Sequence, residues 1–256
     1  IDGKVKNGEV FTKIKLDDLF FMYSNIPVKV YSGYISISKN NLTFQKVNAM
    51  LDTMPILVDG VVSNLTGNPK FNLYFNSKPS QRFMDKYINK NSIYPLKYKG
   101  DVLLAARING TEDLFNVKSE INLDSGASLY YMGATIDDAN DPLRLFIDAN
   151  VNGNLVNVKN FQYDKLISSQ NDKEFISSQL TASGQLILEP DEVYFRHFRV
   201  RTQNPTDAKI FNLIFKKPMI KHGLFNSNLF INGVVSSPKM LGNLNFTGLN
   251  LPVVDT

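Results

Sequence analysis

The sequence predicts an all-β protein whose main element is an antiparallel sheet, with one or two short helices beside it. Apolar and polar residues alternate along most of the chain, as they do from Phe71 to Asn76. A period of two is that of a strand with one buried and one exposed face. Clusters of Asn, Gly, Ser and Pro separate the alternating runs at spacings that suit a meander of consecutive strands.

The alternating runs define the strands in chain order. Turn signals such as Lys39–Asn41, Thr66–Pro69 and Asn152–Asn154 lie between them. The apolar sets that mark the clearest strands are Ile35 and Ile37; Phe71, Leu73 and Phe75; Val102, Leu104, Ala106 and Ile108; Leu145, Ile147, Ala149 and Val151; Leu229 and Ile231; and Leu244 and Phe246.

Two windows predict short helices. Ser80–Asn89 follows a proline and places four apolar residues on one face, whereas Ser168–Gln179 is mostly polar. The first helix would separate a block of residues 1–79 from a block of residues 92–256. Because it is amphipathic, it would either mask a sheet edge, close one end of a groove or touch a membrane surface.

The composition narrows the possible functions. The 256 residues include no cysteine, which excludes a disulfide framework, a thiolate metal site and a cysteine nucleophile. Lys and Arg exceed Asp and Glu by 28 to 24, too small a difference to indicate nucleic-acid binding. No apolar stretch has the length of a membrane-spanning helix. The chain begins at Ile1 without a leader pattern, so either a targeting segment was removed or this is a piece of a longer protein.

A longer period relates the two halves of the chain. Ser32–Val47 aligns without a gap on Ser183–Phe198. In both copies the apolar residues change parity at the same place, just before Val47 and just before Phe198. A change of parity inside a strand predicts a bulge, which bends the sheet.

Two stretches carry a family resemblance. Val58–Leu73 reads VDGVVSNLTGNPKFNL, and Ile231–Pro252 reads INGVVSSPKMLGNLNFTGLNLP. They resemble the repeating segments of the AsmA-like superfamily, which includes the TamB and YhdP types and repeats the form G-x-V-x-G-S/T-P-x-x-P-x-L-x-G-x-L-x-L. Here Leu241 stands where the second Pro is usual, and Ser237 stands where Gly is usual.

The resemblance extends over most of residues 1–79 and 92–256 and implies both a fold and a function. It implies an elongated periplasmic sheet, bent along its length into a U-shaped, taco-like hydrophobic groove. This groove would shield phospholipid acyl chains between the inner and outer membranes of a diderm bacterium, without enzymatic activity or a cofactor. The chain would be a fragment of a longer protein, anchored to the inner membrane by a segment it lacks. The two membranes or their proteins would be the partners at its ends.

The residues expected to line such a groove follow from strand parity. The apolar parity of each strand would face the lipid. The predicted lining consists of Ile35, Ile37, Leu42, Phe44, Phe71, Leu73, Phe75, Val102, Leu104, Leu145, Ile147, Val193, Phe195, Leu229, Ile231, Leu244 and Phe246.

The chemistry of a phospholipid agrees with such a lining. Exposing roughly 30 acyl methylenes to water would cost on the order of 25 kcal/mol, so a shuttle must cover the chains. The same residues would equally form the closed core of an extracellular β-sandwich that binds carbohydrate or another protein. A third hypothesis is a scaffold whose sheet edge pairs with strands of an outer-membrane barrel during its assembly.

Catalytic and metal-binding patterns are weak. His197 and His222 lack a metal-ligand spacing, and Asp137–Asp141 has the pattern of a plain turn. No phosphate-binding loop or nucleophile elbow occurs, so we assign no catalytic residue, metal or cofactor. His197, Arg199 and Arg201 share one parity, which predicts either a solvated strand face or a basic stripe for lipid phosphates.

Overall fold

The computed structural model confirms an all-β protein built around one large antiparallel sheet. It describes residues 2–6, 9–91, 96–124, 127–131, 134–137, 142–168, 174–213 and 219–251. The strands are β1 (Asp2–Lys6), β2 (Glu9–Tyr23), β3 (Ile26–Ser38), β4 (Asn41–Leu51), β5 (Met54–Ser63), β6 (Lys70–Ser77), β7 (Leu96–Lys99), β8 (Val102–Gly110), β9 (Leu114–Leu123), β10 (Ser128–Tyr131), β11 (Ala134–Asp137), β12 (Leu143–Asn152), β13 (Leu155–Ser168), β14 (Glu174–Leu188), β15 (Val193–Asn204), β16 (Thr206–Asp207), β17 (His222–Val234) and β18 (Lys239–Asn250).

The large sheet is a meander. Fifteen strands form it, and β7, β10 and β11 form a separate three-stranded sheet. Each long strand pairs with the next long strand along the chain, and the two-residue β16 also pairs with β17. Because β6 pairs directly with β8, and β9 with β12, the segments between them are inserted without interrupting the sheet.

The two ends of the strands differ in how they are connected. At one end, the turn end, short turns join the strands, and the longest covers residues 64–69. The opposite end, the insert end, carries three longer connections, at residues 78–101, 124–142 and 205–221. The first two insertions supply the three-stranded sheet.

The helix predicted at Ser80–Asn89 is present in the first insertion. It consists of an α-turn (Gln81–Phe83), a π-helical turn (Met84–Ile88) and a 3₁₀ turn (Asn89–Asn91). The Ser80 hydroxyl caps it by accepting a 3.1 Å hydrogen bond from the Phe83 N–H.

This helical segment is attached to the β4–β5 turn. The Asp52 carboxylate in that turn accepts hydrogen bonds from Lys86 Nζ at 2.7 Å and Tyr87 Oη at 2.9 Å. The Thr53 and Ser80 hydroxyls lie 2.6 Å apart. The segment therefore packs at the insert end of the sheet.

The second predicted helix, Ser168–Gln179, is wrong. Residues 169–173 lie outside the described part of the chain, and β14 begins at Glu174 and continues through Gln179. Residues 174–178 pair with β13 on one side, and from Gln179 onward β14 pairs with β15 on the other side as well. A strand inside a sheet obtains its hydrogen bonds from distant segments, and this non-local pairing overrides a weak local helical pattern.

The bulges predicted from the two sequence repeats are confirmed. The register of β4 against β5 shifts just before Val47, and that of β15 against β17 shifts just before Phe198. Lys46 and His197, the residues preceding them, have φ angles of 48° and 49°. A bulge of this kind bends its strand, so both repeats contain a local bend.

A glycine in the preceding strand passes close to each bulge. A Cβ atom at Gly33 would lie 2.7 Å from Val47 Cα, and one at Gly184 would lie 2.5 Å from Phe198 Cα. No side chain fits at such distances, and both glycines have φ near 140°. The aligned Ser-Gly pairs of the two repeats are therefore explained by close backbone approach.

The buried side chains form three clusters. One lies on β2 to β5 around Val30 and Val47, and a second lies on β13 to β15 around Ala182 and Phe198. The third lies toward the insert end and includes residues of the insertions, such as Ala208. The insertions thus cover part of one face of the large sheet.

Candidate apolar ligand site

The residues predicted to line a groove lie together on one face of the large sheet. Directly paired residues of antiparallel strands have their side chains on the same side. One such row runs from Leu104 through Ile121, Leu145 and Tyr163 to Leu180. Parallel rows, followed through the bulges, place all the predicted lining residues on the same side as this row. We call this side the apolar face.

Most of the predicted lining side chains are half-buried. Val102 and Leu229 are buried, whereas Ile37 and Phe246 are each 40% exposed, and the others lie between these limits. A core enclosed between two sheets would bury such residues almost completely. The apolar face therefore has room for apolar contacts beyond those that the described residues supply.

An apolar cavity of about 620 Å³ lies on this face beside the third insertion. Its volume falls within the range of small-molecule pockets, roughly 300–1,000 Å³. The predicted residues Leu229, Ile231, Leu244 and Phe246 contribute to its wall. The remaining wall residues are Phe161, Leu180, Ala182, Phe198, Val200, Ile210, Phe211, Ile220, Phe225, Ser227 and Met240.

An aromatic cluster forms one side of the cavity. The insertion at residues 205–221 contains a 3₁₀-helix, Ala208–Leu213, that carries Phe211. The Phe211 ring lies 4.7 Å from the Phe225 ring and 5.6 Å from the Phe246 ring, measured between centroids. Tilted aromatic contacts of this length are favourable. Phe211 therefore links the insertion to β17 and β18.

One polar group interrupts the apolar wall. Ser227 is 7% exposed, and its Oγ has no hydrogen-bond partner among the described residues. Its backbone N–H, in contrast, donates to Thr202 Oγ1 at 2.9 Å. An unsatisfied buried hydroxyl costs about 1–3 kcal/mol. The hydroxyl offers one donor to an ester or carboxyl oxygen of a bound ligand.

Strand parity did not reveal the whole wall. Phe225 continues the parity of Leu229 along β17, so the signal for it was present in the sequence. Ile210, Phe211 and Ile220 belong to no alternating run, and their place in the wall depends on the path of the third insertion. The rest of the predicted lining lies on the apolar face outside the cavity.

The opposite face of the sheet carries the predicted basic stripe. A cleft of about 300 Å³ there is lined by Lys159, Arg199 and Arg201 together with uncharged residues. The Arg199 guanidinium donates to Asn228 Oδ1 from Nε at 3.2 Å and from Nη2 at 3.1 Å. His197 lies at the bulge. The basic residues are therefore separated from the apolar face by the sheet itself.

Among the described residues, no three His, Cys, Asp or Glu side chains converge on a point that could hold a metal ion. Within the same ranges, no helix is long and apolar enough to cross a membrane.

Comparisons with protein-family models, curated proteins and solved structures found no match to this chain. The apolar face and the cavity are therefore the features from which we infer a function.

Proposed function

We propose that this chain is a non-enzymatic, lipid-conducting segment in which the apolar face forms a U-shaped groove for phospholipid acyl chains. The proposal includes membership of the AsmA-like superfamily that the repeats resemble. It also includes a periplasmic location, with an inner-membrane anchor outside this chain. Lipid would enter and leave at the ends of the full-length protein, where membranes or their proteins are the partners.

The observation that carries this proposal is the continuity of the apolar face. Its rows of paired apolar residues cross the sheet, and most of these side chains are half-buried. Each acyl methylene removed from water contributes about 0.8 kcal/mol. A continuous apolar surface lets a chain move without exposing its methylenes, which a single closed pocket does not.

Two further features support the proposal. The bulges at Lys46 and His197 bend the strands in which they occur, as a wrapped sheet requires. The cavity beside the third insertion, open on one side, offers a partly covered place for the end of an acyl chain, and the Ser227 hydroxyl in its wall can donate to a lipid oxygen.

A second candidate function is a scaffold that adds a strand of another protein to its sheet edge. β18 pairs with β17 on one side, and its other side has no strand partner in the part of the chain that the structure describes. Met240 and Leu241 on this strand are 58% and 77% exposed. A long unpaired strand is a template for strand addition, which supports this alternative.

Leu103 and Leu104 provide a matched test of the lipid proposal. Leu104 is half-buried on the apolar face, whereas Leu103 is 37% exposed on the opposite face. We expect native mass spectrometry of the chain, purified from a diderm host, to detect bound phospholipid in the wild type and in Leu103→Asp. Leu104→Asp should lose it, because an unpaired charge beside acyl chains costs several kcal/mol.

The comparison of Leu103→Asp with Leu104→Asp can contradict the lipid proposal. Both variants must first give the β-type circular dichroism of the wild type. A wild-type chain without phospholipid, or equal retention by two folded variants, would contradict the groove and leave the scaffold as the better supported function.

A further inference from the structure

The hairpin of β2 and β3 ends in a cluster of exposed apolar side chains. Leu19, Phe20, Phe21, Met22 and Tyr23 are consecutive, and each is between 44% and 68% exposed. Single exposed apolar residues are ordinary on protein surfaces, but a contiguous group indicates a contact site. We call these five residues the hairpin tip.

The hairpin tip lies at a projecting corner of the sheet. Val28 of β3 pairs with Leu51, the last residue of β4, and the Asp52 N–H in the β4–β5 turn donates to the Pro27 carbonyl at 2.7 Å, so Tyr23–Ile26 extend beyond that turn. On the other side, β1 pairs with β2 only as far as Lys13. Within the described residues, therefore, no strand flanks the tip on that edge.

The tip is apolar on both of its faces. Phe21 pairs with Val28 and shares the apolar face, whereas Phe20 pairs with Lys29 and shares the opposite face. Leu19 and Tyr23 have the parity of Phe21, and Met22 has that of Phe20. A protein partner covers one face of a strand or pairs with its edge, whereas a bilayer surrounds an inserted tip on both faces.

We propose that the hairpin tip inserts into the interfacial region of a lipid bilayer. Its aromatic rings suit this depth, because Phe and Tyr bury apolar surface there and the Tyr hydroxyl stays close to water. A tight turn at residues 24–25, where both φ angles are positive, closes the hairpin, and its outermost part, Tyr23–Ile26, is only two strands wide. The hairpin tip is separate from the cavity, and its insertion does not depend on lipid conduction.

Charged groups beside and behind the tip set its depth. Lys29, the partner of Phe20, places its Nζ 3.0 Å from Asp18 Oδ1, and Lys15 Nζ lies 3.5 Å from Asp17 Oδ2. These side chains stay hydrated, so insertion stops at the Phe20–Lys29 pair. Because the two positive charges balance the two negative ones, apolar contact drives insertion, and attraction to anionic lipid contributes little.

The chain contains no tryptophan, which permits a direct test. Phe20→Trp in the intact chain places a single indole on the face that a lipid held on the apolar face does not touch. Leu114→Trp is the matched control, since Leu114 is 57% exposed at the turn end. With phosphatidylcholine vesicles carrying brominated acyl chains, we expect a blue shift and quenching for Phe20→Trp and neither for Leu114→Trp.

A loss-of-binding variant complements the fluorescence. Replacing Phe20 and Phe21 together by Ser should weaken vesicle partitioning about tenfold for each aromatic residue removed, whereas Leu114→Ser should float with vesicles as the wild type does. Circular dichroism shows whether each variant is folded. Binding should be equal at low and high salt.

Three outcomes would overturn the proposal: equal quenching of the two indoles, no quenching of either, or wild-type flotation of the double-serine variant. A blue shift without vesicles, together with sedimentation as a dimer, would show that the tip joins two copies. Native mass spectrometry distinguishes membrane insertion of the tip from lipid conduction along the apolar face. If the double-serine variant retains phospholipid but does not float with vesicles, both proposals are supported. If the wild type floats but carries no phospholipid, only insertion of the tip is supported.

Discussion

The main-chain N–H of Lys46 donates a 2.8 Å hydrogen bond to Asp59 Oδ1 in the next strand. In the second repeat, the N–H of His197 makes a bond of the same 2.8 Å length to Asn232 Oδ1. Each donor is the positive-φ residue of a bulge, and each acceptor precedes a Gly-Val-Val-Ser sequence. The two repeats therefore satisfy the bulge backbone in the same way, although one uses an acid and the other an amide.

The hydrogen bond from the Lys46 N–H to Asp59 should stabilise the fold through the side-chain oxygen that accepts it, whether or not that oxygen is charged. Asp59→Ala removes the acceptor and should lower the free energy of unfolding by about 1 kcal/mol, the usual net value of one hydrogen bond. Asp59→Asn keeps the oxygen and reproduces the second repeat, so it should remain close to wild type. Urea unfolding of the two variants measures the difference, and equal destabilisation would contradict this role.

Photo-crosslinking should show a strict alternation along β6. A photoreactive residue at Phe71, Leu73 or Phe75 lies on the apolar face and should capture phospholipid. The same residue at Asn72 or Tyr74, both exposed on the other face, should not. Mass spectrometry measures how much phospholipid adduct forms at each position. Equal labelling at Asn72 and Leu73 would show that the parity assignment is incorrect.

Alanine substitutions at two buried serines should change the free energy of unfolding in opposite directions. Ser227→Ala removes a hydroxyl without a partner among the described residues and should raise the free energy of unfolding of the lipid-free chain by about 1 kcal/mol. Ser77→Ala removes a hydroxyl that donates to the Pro55 carbonyl at 2.8 Å and should lower it by a similar amount. Denaturant titration tests both. Destabilisation by Ser227→Ala would mean that its hydroxyl is satisfied in the folded protein.

Acid should weaken the attachment of the helical segment. The hydrogen bonds from Lys86 and Tyr87 hold the pKa of the Asp52 carboxyl below its ordinary value. A lowered pKa stabilises the fold above the unfolded-state value, about 4, and this stabilisation is lost as pH falls through the folded-state value. The stability advantage of wild type over Asp52→Asn should therefore shrink as pH falls below about 4.

The partners of Asp52 provide the control for this titration. In a Lys86→Met, Tyr87→Phe background the carboxylate has lost both donors, so Asp52→Asn should no longer change the pH dependence. Thermal unfolding across the pH range measures each pair. A pH-dependent difference that survives in this background would point to another cause.

Local patterns were sufficient to predict many of the long strands, the first helix and the bulges. Apolar–polar alternation indicates which side of a strand is buried. The change of parity before Val47 and Phe198 indicated a bulge directly, because one extra residue in a strand moves the following side chains to the opposite side of the sheet. These signals lie within a few residues of the structure that they predict.

The errors concern features that depend on distant segments. The start of β14, with the sequence EFISSQ, lacks an apolar–polar alternation, and its pairing with β13 makes it a strand. The wall formed by Phe211 depends on where the third insertion crosses the sheet. The exposure of Phe20 depends on how far β4 extends beside the hairpin. None of these follows from the periodicity of one segment.

The meander has a mechanical consequence. Nearly every backbone hydrogen bond of the large sheet joins strands that are neighbours along the chain, so no central strand locks the two halves together. Force applied to an edge strand therefore opens its bonds one after another, and each hairpin that detaches leaves the next sheet edge unchanged. We expect the molecule to lengthen under load in hairpin-sized steps and to recoil by re-pairing the same neighbours.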